Sequence, residues 1–224
     1  ITTQAAWASA NNIDVFYIGN EECLSAQSGG YGAVTYTDCI NDVRTYSSTV
    51  KSSYPALRVV YSDGEGMVAQ WGAVYPDFGA LDGLGFNMYN TLSGFDAGVA
   101  YFQSQIGAKF FVTEWGANHP YLDMIQNYGY TDAMYASDLA QRQLILAKRG
   151  VEAYFFTLRF SDNTLNVNNW NILLNTGVFL PGASAAFGGG SGNAVRPTPL
   201  ILIDNQKLYF NTVKTAYIDA DSTD

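Results

Sequence analysis

Short apolar runs alternate with longer stretches whose apolar residues recur at helical spacing over most of the chain. The runs predict strands over residues 13–18, 57–61, 84–89, 109–113 and 151–158. The stretches between them predict helices over residues 37–53, 67–74, 95–106 and 132–149. Five strand–helix units in series imply a parallel sheet with right-handed crossovers. The pattern therefore predicts either a doubly wound α/β sheet or a (β/α) barrel.

The regular alternation ends after Phe160. Residues 163–171 are polar and rich in Asn, residues 183–193 are small and rich in Gly, and residues 197–215 predict a final helix with a loose start. No repeat or second domain is evident. We therefore predict one domain over residues 1–224, with a flexible surface insertion at 183–193.

Two glutamates stand at the ends of predicted strands. Glu21 follows the run that ends in Ile18-Gly19-Asn20, and Glu114 follows Val112-Thr113. In a parallel α/β barrel the carboxyl ends of the strands form the catalytic face, so carboxyls distant in sequence can meet there. A retaining glycosidase needs two such carboxyl groups, about 5 Å apart. The glutamate positions thus favour the barrel and predict a glycosidase.

With Asn20-Glu21 and Thr113-Glu114-Trp115-Gly116 the chain resembles the clan A glycoside hydrolases, and Gly19-Asn20-Glu21 is similar to their β-1,3-glucanase branch. The resemblance implies a (β/α)8 barrel with Glu21 as acid/base on strand four and Glu114 as nucleophile on strand seven. On that alignment the TIM-type barrel lacks its first three strands. The sequence is then a fragment, another copy or chain completes the sheet, or the alignment is shifted.

The same resemblance suggests further site residues. Asn20 is expected to bind the sugar 2-hydroxyl, and Tyr89, at the end of the sixth barrel strand, to donate its hydroxyl to Glu114. Asn87 on that strand joins the substrate-binding set. Glu22 is the rival of Glu21, because a slip of one residue exchanges them.

Aromatic residues are candidates for stacking on sugar rings, with a place in the core as the alternative for each. The candidates are Trp71, Trp115 and Trp170. Arg159 stands where the family more often has an aromatic residue, and it is placed in the substrate-binding set.

Composition limits the classes of molecule that the protein is expected to bind. A net charge of −9 with only 11 Lys and Arg argues against nucleic acid, and no apolar run is long enough for a membrane span. A multi-histidine metal site is excluded because His119 is the only histidine. We expect no cofactor and no metal. Low charge with abundant Tyr, Ser, Asn and Gly favours secretion and a polysaccharide substrate.

The two cysteines, Cys23 and Cys39, flank the Gly-rich segment that follows the first glutamate. They form either a disulfide, which would add about 3 kcal/mol on the chain-entropy model, or two buried thiols.

These observations predict a retaining glycoside hydrolase that acts on a β-linked glucan or related polysaccharide. The alternative is a noncatalytic carbohydrate-binding or structural assembly protein derived from such a barrel. The strands at 13–18 and 151–158 would be exposed edges of an open barrel. We therefore expect a partner chain, an oligomer or further N-terminal residues to pair with them.

Overall fold

The computed structural model describes residues 2–156 and the backbone of three short strands near the C-terminus. The described residues form two compact units. The first comprises those within Ile1–Asn87, Phe102–Phe111 and Gln206–Asp224, and the second those within Met88–Tyr101 and Val112–Asn205.

Strands and helices alternate along the chain as predicted. The strands are β1 (Val15–Asn20), β2 (Arg58–Gly64), β3 (Gly83–Met88), β4 (Phe110–Trp115), β5 (Ala153–Phe155), β6 (Leu202–Asp204), β7 (Lys207–Tyr209) and β8 (Lys214–Ala216). The helices are α1 (Thr2–Ala10), α2 (Glu22–Gln27), α3 (Tyr36–Ser53), α4 (Val68–Ala73), α5 (Leu92–Ile106), α6 (Tyr121–Asn127) and α7 (Asp132–Lys148).

The strand order in the sheet is β5-β4-β3-β2-β1-β8-β7-β6. Pairing is parallel between β1 and β2, between β2 and β3, and between β4 and β5. Five parallel strands alternating with helices make a partial (β/α) barrel of the TIM type. The predicted fold class is confirmed.

Burial explains why the first unit forms strands where it does. All six residues of β3 are buried, and so are the last six of β2. Parallel strands covered on both faces need such continuous apolar runs. Helix α3 instead buries one face, with Ile40, Val43 and Val50 at helical spacing against the sheet layer.

Most element boundaries are shifted by one to three residues from the prediction, and two of these shifts have a clear physical reason. Strand β2 continues through Ser62, Asp63 and Gly64, because its polar end is buried and hydrogen-bonded. Helix α3 has Thr35 as its N-cap, where the sequence predicted Thr37. The short helices α2 and α6 were not predicted.

The helix predicted over residues 197–215 is wrong for the residues described there, which form β6, β7 and β8. Short apolar runs such as Leu202-Ile203 fit a strand as well as a helix, and pairing decides between them. Strand β8 runs parallel to β1, with Val15 opposite Thr215. The β1 edge, expected to bind another chain or further N-terminal residues, is therefore paired with this chain's own C-terminal segment.

Among the helices of the described residues, none is both long and apolar enough to cross a membrane.

The α3 cap gives a stability prediction. Thr35 Oγ1 accepts from the Asp38 backbone N–H at 3.2 Å, and Asp38 accepts in return from the Thr35 backbone N–H at 3.0 Å. Losing this capping box in Thr35→Ala should lower the free energy of unfolding by about 1 kcal/mol in urea titrations. Thr49→Ala, the same change at an exposed mid-helix position of α3, should be neutral or slightly stabilising. Equal losses in both variants would contradict the cap.

Candidate active site

Glu21 lies directly after β1 and is the N-cap of α2. Its backbone is left-handed, with φ 62° and ψ 16°, a conformation that costs a residue with a side chain roughly 1–2 kcal/mol. Its N–H donates to the Ser62 carbonyl oxygen at 3.0 Å, which ties the turn to β2. A strained backbone of this kind persists only where surrounding contacts hold it, and such residues concentrate at functional sites.

The side chain of Asn87 holds both residues of the Asn20-Glu21 pair. Its Nδ2 donates to Glu21 Oε1 at 2.8 Å and to Asn20 Oδ1 at 3.2 Å. Its Oδ1 accepts from Ser62 Oγ at 3.1 Å. Asn87 is only 3% exposed, and both its N–H donors serve protein acceptors. The sequence placed it among the substrate contacts, whereas the structure shows it orienting Asn20 and Glu21.

The two adjacent glutamates have different surroundings. Glu22, in the first turn of α2, lies near Tyr61, where burial and the charges of Asp63 and Glu22 raise the pKa of the Tyr61 hydroxyl. Its carboxylate also lies against Gly19, where an added Cβ would come within 2.5 Å of Glu22 Oε2. Only Glu21 receives the Asn87 amide. The structure thus separates the two residues that a slip in alignment would exchange.

Asp63, on β2, was missed by the sequence analysis. It is fully buried, and its carboxylate accepts from Trp71 Nε1 at 2.8 Å, Gly64 N at 2.9 Å and Leu24 N at 3.2 Å. Burial raises the pKa of Asp63 to about 7, aided by the nearby Glu21 charge and opposed by these three hydrogen bonds. The signal was present in Ser62-Asp63-Gly64, an acid and a glycine after an apolar run, as at the two chosen glutamates.

Trp71 is not a sugar-stacking residue in this structure. Its side chain is fully buried, with its ring 5.6 Å from that of Tyr61 and 6.1 Å from that of Phe78. A tryptophan buried in this way finds a partner for its N–H, here Asp63. The burial of the ring favours the core alternative for Trp71.

Cys23 and Cys39 are joined by a disulfide, with their Cα atoms 5.3 Å apart. The bond links α2 to α3 and closes the Gly-rich turn between them. Gly29 and Gly32 have φ values of 79° and 64° in that turn, which residues with a Cβ rarely adopt.

In the second unit, Glu114 lies near the carboxyl end of β4 and is half-buried. Tyr89 Oη donates to Glu114 Oε2 at 2.7 Å, the contact expected from the sequence. Tyr89 also packs edge-on against Phe156, with ring centroids 6.2 Å apart. The phenol is therefore held in place beside the carboxylate.

Trp115 is 4% exposed, and its ring meets that of Phe155 edge-on at 5.1 Å. Its carbonyl oxygen accepts from the Phe156 N–H at 2.8 Å, so backbone and side chain both contact the β5 segment. This burial favours the core alternative for Trp115. Trp170, Arg159 and the insertion at 183–193 lie outside the described residues.

His119 follows the β4 motif and contacts α6 and its C-cap residue. Its Nδ1 lies 3.2 Å from Asp123 Oδ2, and its ring stacks on Tyr128 with centroids 4.2 Å apart. Within the part of the chain that the structure describes, no three His, Cys, Asp or Glu residues form a group that could hold a metal ion.

The fold resembles solved structures of sugar-processing enzymes. An active-site mutant of Rhizomucor miehei β-1,3-glucanosyltransferase in complex with laminaritriose matches with a TM-score of 0.54 at 14% identity, over 80% of this chain and 68% of the other. A Bacteroides uniformis β-glucuronidase matches with a TM-score of 0.54 at 14% identity, over 73% of this chain and 22% of the other.

A second Bacteroides uniformis β-glucuronidase, covalently bound to cyclophellitol-6-carboxylate aziridine, gives a TM-score of 0.53 at 13% identity, with 73% and 22% coverage. No protein-family model matches the chain, and comparison with curated protein sequences finds no significant match. At these identities the likeness establishes a shared fold, a partial (β/α) barrel of the TIM type.

The raised pKa of Asp63 predicts an unusual dependence of stability on pH. A carboxyl with a higher pKa in the folded than in the unfolded state stabilises the fold at low pH, and that stability is lost as pH rises from about 4 to about 7. The wild-type advantage over Asp63→Asn in unfolding free energy should therefore shrink across this range in urea titrations. The amide side chain in Asp63→Asn is neutral across this pH range and does not titrate.

Asp96→Asn is the control of opposite sign. The pKa of the exposed Asp96 carboxyl is lowered by its hydrogen bond from Arg149, so any wild-type advantage there should grow with pH. A wild-type advantage over Asp63→Asn that also grows with pH would contradict the buried, protonated Asp63.

Proposed function

We propose that the protein is a retaining glycoside hydrolase that acts on a β-linked glucan or related polysaccharide, with Glu114 as nucleophile and Glu21 as general acid/base. The observation that carries the proposal is that each glutamate lies at or next to the carboxyl end of a parallel strand and accepts a hydrogen bond from a neighbouring side chain. Asn87 holds Glu21, and Tyr89 holds Glu114. Strand ends are where barrel enzymes place their catalytic residues.

The environment of Glu114 suits a nucleophile. A hydrogen bond donated to a carboxylate favours its ionised form, and Tyr89 Oη supplies one to Oε2. The Glu114 carboxylate attacks the anomeric carbon as the bond from that carbon to the leaving oxygen breaks. The product is a covalent glycosyl-enzyme with the sugar esterified to Glu114.

The environment of Glu21 suits an acid/base. Asn87 donates to Oε1, which leaves Oε2 to carry the proton that goes to the leaving oxygen. In the second step the ionised Glu21 takes a proton from water. That water attacks the anomeric carbon and releases the sugar from Glu114. Asn20, held by the same amide, retains its own N–H donors for the sugar 2-hydroxyl.

The structural neighbours support a sugar substrate. One is a β-1,3-glucanosyltransferase in complex with laminaritriose, and two are β-glucuronidases, one of them covalently bound to cyclophellitol-6-carboxylate aziridine. A glucan with β-linkages is the substrate class we propose for this chain. Secretion is part of the proposal, supported by the Cys23–Cys39 disulfide, since such bonds persist in oxidising compartments.

Glu114→Gln should abolish turnover of an activated aryl β-glycoside while leaving the circular dichroism spectrum unchanged, because the amide keeps the shape but lacks the nucleophilic charge. Azide should restore turnover to Glu114→Gly, which leaves space for the anion, more efficiently than to Glu114→Gln. Glu152→Gln makes the same change at an exposed residue before β5 and should remain active. A fully active Glu114→Gln enzyme would show that the nucleophile lies elsewhere.

A wild-type chain that binds glucan without turnover would favour the noncatalytic alternative.

Glu21→Ala should discriminate between leaving groups. A poor leaving group needs protonation and should lose about 10²- to 10⁴-fold in kcat/KM, whereas an activated one should lose far less. Glu22→Ala is the matched control, one residue along the chain, and should lose equally on both substrates. If Glu22→Ala shows the larger loss on the poor leaving group and Glu21→Ala does not, Glu22 is the general acid/base.

A further inference from the structure

The helix α2 begins without the usual help of its N-cap side chain. The first N–H groups of a helix lack partners within it, and the N-cap side chain commonly accepts from one of them. Here the N-cap is Glu21, whose side chain makes no capping hydrogen bond. The partners come from β2 instead. Cys23 N–H donates to Tyr61 Oη at 3.1 Å, and Leu24 N–H donates to Asp63 Oδ1 at 3.2 Å.

This substitution frees Glu21 for another contact. If its carboxylate capped α2, it would point back along its own helix and could not accept from Asn87. With Tyr61 and Asp63 as caps, the Glu21 carboxylate accepts the Asn87 amide at 2.8 Å. The left-handed backbone at Glu21 is then fixed on its C-terminal side by both caps.

Both capping residues are rigid and inaccessible. Tyr61 and Asp63 are fully buried, so neither can contact a substrate. Asp63 is anchored by Trp71 Nε1 and by the Gly64 N–H, and Tyr61 packs against the Trp71 ring. They lie two residues apart on β2, which points both side chains to the same face of the strand.

Gly64 shows how closely this arrangement fits. A Cβ at this position would overlap the Leu24 side chain and lie 3.4 Å from Glu21 Oε1. Gly64 therefore lies close to both the first turn of α2 and the Glu21 carboxylate. The loop and the end of β2 form one packed unit.

We propose that Asp63 and Tyr61 are positioning residues for Glu21, which act by capping α2 and thereby fixing the backbone from which the Glu21 carboxyl projects. The inference rests on the proposed role of Glu21 as acid/base. Its consequence is that loss of either cap impairs proton donation more than nucleophilic attack. A misplacement of about 1 Å at a reacting group is enough to cost about 10²-fold in rate.

The test compares aryl β-glycosides with good and poor leaving groups. Asp63→Ala should lose about 10²-fold in kcat/KM on the poor leaving group and only a small factor on the good one, as Glu21→Ala does. Tyr61→Phe, which removes one oxygen atom, should show the same selectivity with a smaller loss. Circular dichroism on each variant verifies the fold.

Tyr135→Phe is the matched control, since Tyr135 is also buried and packs edge-on against Tyr121. It should show no selectivity between leaving groups, because any loss of stability lowers both rates together. If Asp63→Ala does not fold, Tyr61→Phe decides the question alone. Equal losses on both substrates in the folded variants overturn the proposal.

The Glu21 and Tyr61 variants distinguish an error in the role of Glu21 from an error in the positioning role. If Glu21→Ala itself shows no selectivity, the proposed function of Glu21 is wrong, and the positioning role is wrong with it. If Glu21→Ala is selective and Tyr61→Phe matches Tyr135→Phe, only the positioning role is overturned.

Discussion

The buried carboxylate of Asp63 is the contact on which the surroundings of Glu21 depend. Burial opposes its ionisation, and three N–H donors from α4, β2 and α2 offset that cost. Removing the carboxylate would leave all three donors without an acceptor in a region closed to water, where each unmade hydrogen bond costs about 1–3 kcal/mol. The end of β2, the start of α2 and the Trp71 indole are therefore fixed together.

Helix α2 shows why such outside support is needed. Its six residues are far fewer than an isolated helix requires to be stable in water. Two side chains of β2 hold its first turn, and the Cys23–Cys39 bond attaches it to α3. Helix α2 is thus stabilised by its tertiary contacts. This is why no local sequence pattern predicts it.

The same distinction separates what the sequence could predict from what it could not. Helix α7, with Thr131 as its cap and a regular apolar face, and the buried strands β2 and β3 were predicted because their patterns are local. The partial barrel followed from their alternation. The two glutamates could be chosen because an acid at the end of a buried strand needs a partner or a purpose.

Most contacts between distant residues were beyond the sequence, and the Tyr89–Glu114 hydrogen bond, expected from the resemblance, is the exception. Asn87 hydrogen-bonds Glu21, which lies 66 residues before it in the chain. Nothing in the sequence around Asn87 distinguishes it from an amide that faces a sugar. For Trp71 and Trp115 the sequence left both places open, because an aromatic residue suits either a core or a sugar face. Their burial, which decides the question, depends on packing. Strand β8 likewise took its place through pairing with β1.

The donors that hold the two glutamates differ in a way that matches the proposed chemistry. A general acid/base passes through both protonation states in each turnover, so its partner has to serve both. The Asn87 amide does not titrate, and it can donate to Glu21 Oε1 whether or not Oε2 carries a proton. A nucleophile must instead remain ionised until it forms its covalent bond, and the Tyr89 hydroxyl, by donating to Glu114, stabilises that single state. Under the proposed roles, the Asn87 amide accompanies Glu21 through both of its protonation states, and the Tyr89 hydroxyl accompanies the ionised Glu114 until the covalent bond forms.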